Sequence, residues 1–97
     1  MIKYIALYED EQQGELSSSL QLEHINYLKD LHVKGVVTLC GPLRNSGGKA
    51  LLVFNVDSIE EAESHVLKDP FIAEKWYQKY HVYEWFEVSD SDIFKSN

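Results

Sequence analysis

His24 and Asp69 carry the clearest capacity for proton chemistry in this chain. His24 lies in the stretch LQLEHINYLKDLH, Leu20 to His32. At about 100° per residue, Leu20, Tyr27, Leu28 and Leu31 fall in one arc with His24 in its middle. A polar ring where leucine would fit is either a core imidazole satisfied by a neighbouring carbonyl or hydroxyl, or a working group with a second polar partner. Asp69 can be that partner. A carboxylate beside an imidazole fixes its tautomer and favours its charged form, which gives a general acid or base near neutral pH. Asp69-Pro70 is equally the signature of a helix cap followed by the first helical residue.

The other reactive residue types form weaker patterns. The stretch GPLRNSGGKA has three glycines and a lysine, yet Gly41 lies six residues from Gly47, Ala50 follows Lys49, and a strand comes next. A phosphate-binding loop needs a spacing of about five, a Ser or Thr, and a helix, so the stretch reads as a turn. Arg44 within it can meet an anionic substrate, although loop arginines are usually solvated. Cys40 reads as a buried, inert thiol rather than a nucleophile. His32, His65 and His81 lack metal-ligand spacing and read as surface or packing residues, so no metal and no cofactor motif is expected.

These residues need elements to hold them. Ile2 to Tyr8 is rich in β-branched and aromatic residues and reads as a first strand. Ser18 with Gln21 makes a capping-box start and Gly35 a stop, so a helix is predicted over about 18 to 34. Val36 to Cys40 and Leu51 to Val56 read as a hairpin with a long loop. Ser58 and Glu61 open a second helix that buries Ile59, Ala62, Val66 and Leu67. Asp69-Pro70 ends it and caps a short third turn, and Tyr80 to Val88 is the last strand. The order βαββαβ is the ferredoxin-like α+β motif: a four-stranded antiparallel sheet with its helices on one face. The domain is expected over 1–90, with 91–97 a solvated tail whose Ile93 and Phe94 can dock elsewhere.

A chain of 97 residues with 44% hydrophobic residues suits one small globular domain. Its net charge of −7, with scattered Lys and Arg, argues against nucleic acid and anionic membranes as partners. With one cysteine, no bilayer-length apolar segment and a strand at its start, it reads as cytoplasmic. Both sheet faces look apolar or aromatic, and two helices cover only one. A homodimer packed through the sheet faces solves this, and the same aromatics can line a pocket for a small-molecule ligand.

The order His24-x-x-Tyr27-Leu28-x-x-Leu31, Cys40-Gly41-Pro42-Leu43, Ser58-x-Glu60-Glu61-Ala62, Asp69-Pro70-Phe71 resembles the YCII-related (YciI-like) family, to about Val88. The resemblance implies a dimeric α+β barrel similar to the muconolactone isomerase superfamily, with a His and Asp pair in its cleft, matching His24 and Asp69. Relatives often carry Arg three residues before the His and Gly five after the Pro; here stand Gln21 and Lys75. The first departure weighs against an anionic substrate and the second against an unaltered cleft shape. The expected activity is that of a cofactor-independent isomerase or lyase in which His24 moves a proton and Asp69 holds its ring. Tyr4, Tyr8 and Trp85 would wall the pocket, and Ser18 would add a hydrogen bond. The alternative is a non-catalytic dimer that binds a small ligand, with His24 only donating a hydrogen bond.

Overall fold

The computed structural model describes residues 2–88. Its elements are β1 (Ile2–Glu11), α1 (Ser18–Val33), β2 (Val37–Leu43), β3 (Lys49–Phe54), α2 (Ile59–Lys68), the single turn α3 (Pro70–Ala73) and β4 (Tyr77–Phe86). The strands form one antiparallel sheet in the order β2-β3-β1-β4, the ferredoxin-like α+β fold anticipated from the sequence. The expected tail at 91–97 lies outside the described residues. No helix among those described is long and apolar enough to cross a membrane.

Local sequence explains most element ends. Ser58 caps α2 by accepting from the Glu61 N–H. The α1 cap is Ser17, which accepts from the Leu20 N–H, so the predicted start at Ser18 is one residue late. α1 closes with Gly35 in the left-handed region at φ 76° and the Val36 N–H returning to the Leu31 carbonyl, a Schellman motif. α3 closes in the same way through Lys75 at φ 59°, with the Lys75 N–H on the Ile72 carbonyl and the Trp76 N–H on the Phe71 carbonyl. Lys75 thus occupies a conformation that glycine adopts at least cost.

The pairing register assigns the faces. Tyr8 stands opposite Ala50 and Tyr80, and Ala6 opposite Leu52 and Val82, so these rows share the helix-covered side. That side holds Ala6, Tyr8, Ala50, Leu52 and Phe54 under Leu31, Ala62, Val66 and Phe71. Ala62 and Val66 are buried as the helical period predicts, whereas Ile59 and Leu67 are exposed. The other side carries Ile5, Leu7, Leu39, Tyr83 and Trp85, with Leu39, Tyr83 and Trp85 exposed.

Candidate active site

Asp69 ends α2 and caps α3, and this junction places its carboxylate at the centre of the fold with no exposed surface. A buried carboxylate must replace its lost hydration with donors. Three are present. Oδ1 accepts from the Phe71 N–H at 3.0 Å, which is the helix cap, and from His24 Nδ1 at 2.7 Å; Oδ2 accepts from the Tyr8 hydroxyl at 2.8 Å. The two explanations of Asp69, cap and partner of His24, therefore hold in the same side chain.

The Asp69 contact fixes the chemistry of His24. A carboxylate only accepts, so Nδ1 carries the proton and Nε2 is the free nitrogen of the neutral ring. Among the described residues Nε2 has no partner and no side-chain nitrogen or oxygen is both buried and unpartnered, so Nε2 is accessible. The ring also lies flat on Phe71, with centroids 3.7 Å apart and planes 7° from parallel. Stacking and hydrogen bond together leave the ring one orientation. Burial and the nearby Asp69 carboxylate push the Tyr8 hydroxyl up, so it stays a neutral donor.

His24 opens onto a cleft of about 860 Å³ between α1 and the β2 edge of the sheet. Tyr8, Ala50 and Leu52 form its floor, Leu28 and Ile25 one wall, Val37 to Pro42 the other, and Phe71, Trp76 and Tyr77 the end nearest β4. The volume is within the range of small-molecule sites, and most of the lining is apolar around a few polar groups. At the β4 end, the Tyr77 hydroxyl donates to Glu11 at 3.3 Å, and burial with the Glu11 charge pushes Tyr77 up to about 12.

Of the anticipated site residues, His24, Asp69 and Tyr8 come together. The other four do not. Tyr4 packs on the core near Phe54, away from the cleft lining, because α2 rather than α1 covers that stretch of β1. Trp85 pairs with Lys3 and faces the opposite side of the sheet. Ser18 is exposed on the first turn of α1, and Arg44 is exposed in the β2–β3 turn; neither lines the cleft. Cys40, expected to be buried, is exposed and lines the cleft, with its thiol pushed up by partial burial and the Asp69 charge. Gln21, Lys29 and His32 also line it from α1; the helical spacing of Gln21 and His32 from His24 marks those two, whereas Lys29, five residues on, lies about 140° away around the helix. Among the described residues no three His, Cys, Asp or Glu side chains are placed to hold a metal.

Comparison with known proteins places the chain in a family. The YCII-related domain matches residues 1–86. The fold is similar to that of 5-chloro-2-hydroxyhydroquinone dehydrochlorinase (TftG) from Burkholderia phenoliruptrix, solved with 2,5-dihydroxybenzoquinone, at TM-score 0.63 and 21% identity over 95% of this chain and 99% of that one. It is similar also to At3g17210 from Arabidopsis thaliana, at TM-score 0.52 and 13% identity over 92% and 97%. None of the curated protein sequences matches.

Proposed function

Because the chain belongs to the YCII-related domain family, we propose that it is a small enzyme of the isomerase or lyase kind, working by general acid and base catalysis on an oxygenated ring substrate. The observation that carries this reading is His24, held by Asp69 with Nε2 free toward an apolar cleft. Nε2 takes a proton from a carbon or hydroxyl of the bound ring, and the released electron pair moves onto the ring oxygens. The Nδ1–H bond to Asp69 steadies the imidazolium that forms. The proton then returns to another carbon in an isomerisation, or a leaving group departs with its electron pair in an elimination. The dehydrochlorinase of similar fold acts on a ring of this chemical kind, which supports the choice of substrate class.

The test incubates hydroxyhydroquinones, 5-chloro-2-hydroxyhydroquinone among them, in deuterated buffer and follows ring-proton exchange and chloride release by NMR and ion chromatography. A positioned base contributes roughly 10²–10⁴-fold, so His24→Ala is expected to reduce the rate by that factor while circular dichroism stays native. Turnover that survives His24→Ala removes His24 from the mechanism. The exposed apolar side of the sheet, with Leu39, Tyr83 and Trp85, supports a homodimer through the sheet faces. Tyr83→Glu, on that side and outside the cleft lining, should then yield a monomer in analytical ultracentrifugation.

A further inference from the structure

We propose that the cleft takes a two-ended ligand, an oxygen-bearing ring at His24 joined to a carboxylate held by Lys29 and His32, so that its substrates are small aromatic or enolic acids. This rests on the reading of His24 as the reacting group and adds the second half of the ligand.

The cleft is polarised along its length. Strand register and the path of α1 put Glu11 and Tyr77 at one end, Asp69 and His24 next, and His32 with Val37 at the other. The negative groups thus occupy one half of the site, where Gln21 also stands without charge. Lys29 and His32 occupy the other half, and neither has a salt-bridge partner among the described residues. Lys29 is exposed at the cleft wall and, in a chain of net charge −7, supplies the positive charge of this half of the site.

His32 is built like His24. Its Nδ1 lies 3.0 Å from the Val37 carbonyl, which only accepts, so Nδ1–H is the donor and the ring is anchored to the start of β2. Nε2 is left for a ligand and donates to a carboxylate when the ring is charged, whereas Lys29 alone donates to it when the ring is neutral. The α1 carbonyls nearby are occupied by the Lys34, Gly35 and Val36 N–H groups, so they do not compete for that space. His32 follows His24 by eight residues, roughly 12 Å along the helix axis. Both imidazoles line the one cleft, so a ligand bound at His24 can extend toward His32. An anion near Asp69 would be repelled, so it belongs at the His32 end.

The test uses para-hydroxyphenylacetate and its primary amide, which share a ring and differ in the charge of the arm, with binding measured by isothermal titration calorimetry at low salt. The acid should bind the wild type at least tenfold tighter than the amide, and added salt should narrow the gap. Lys29→Gln with His32→Gln should erase the preference by weakening the acid far more than the amide, while His24→Ala should weaken both probes. Equal binding of acid and amide by the wild type, or a preference that survives the double variant, overturns the carboxylate subsite and leaves the His24 reading standing. Binding of neither probe overturns the two-ended ligand, whereas the His24 reading fails separately, on turnover that survives His24→Ala.

Discussion

Truncating Asp69 should cost this fold a large share of its stability, because three donors depend on one buried carboxylate. In Asp69→Ala the Phe71 N–H loses its cap, worth about 1 kcal/mol. The Tyr8 hydroxyl, in a residue only 1% exposed, is left without an acceptor at about 1–3 kcal/mol. His24 has partial access to water and adds roughly 1 kcal/mol. The expected loss is about 3–5 kcal/mol, against a typical total of about 5–15. Asp69→Asn should cost less, since Asn keeps one acceptor for Phe71 and His24, and the Tyr8 hydroxyl can rotate to accept from the new amide. Tyr8→Phe should cost about 1.5–3 kcal/mol, the value of a bond to a charged acceptor.

Urea unfolding followed by tryptophan fluorescence, at one fixed protein concentration, measures each loss. The decisive quantity is the double-mutant cycle of Tyr8→Phe with Asp69→Ala. If the hydroxyl and carboxylate form one unit, the second substitution costs less once the first is made, with a coupling of about 1–3 kcal/mol. Losses that add to within about 0.5 kcal/mol, or an Asp69→Ala variant within about 1 kcal/mol of wild type, would refute the idea that this cluster is solvated by its three donors.

Lys75→Gly should stabilise the domain by about 0.5–1 kcal/mol, read as a rise of a few degrees in Tm, because it relieves a left-handed backbone at the end of α3. Ser17→Ala should cost about 1 kcal/mol and Ser18→Ala less than about 0.5, which urea midpoints will separate. Stability should fall in alkali. Burial raises Tyr8, Tyr27 and Tyr77, the last two to about 12, so the unfolded chain ionises first. Their contribution is complete below pH ~10 and is lost as pH rises toward and past 12. Tyr8 alone contributes a slope of about 1.4 kcal/mol per pH unit above pH ~10, and pH-dependent urea midpoints of wild type against Tyr8→Phe isolate it.

The parts of the fold legible in the sequence were those with a local cause. Ser58 with Glu61, Gly35, and Asp69-Pro70 each act within four residues, and each is where the structure uses it. Where local signals repeat, they fail to choose. Ser17, Ser18 and Ser19 are adjacent and equally suited to cap a helix, and only the packing of Leu16 and Leu20 on the core settles the phase at Ser17. The start of β4 at Tyr77 was hidden for a related reason, since FIAEKWY continues the helical period and nothing in a lysine announces the left-handed turn at Lys75.

The candidate site divides along the same line. His24 stood out as a polar ring on an apolar arc and Asp69 as a helix cap, but their pairing rested on the family resemblance, because capping accounts for Asp69 without any partner. Tyr8 and Trp85 could not be sorted by alternation within their own strands. That period tells which residues share a side of one strand, and only the register between strands tells which side meets α1. Tyr8 opposite Tyr80 puts Tyr8 under Asp69, and Lys3 opposite Trp85 puts Trp85 on the other side. A slip of one residue would exchange Tyr80 and Val82 for His81 and Tyr83, so the register that seals the core also keeps a second imidazole out from beneath Asp69. The buried carboxylate is thereby left with one imidazole partner, His24.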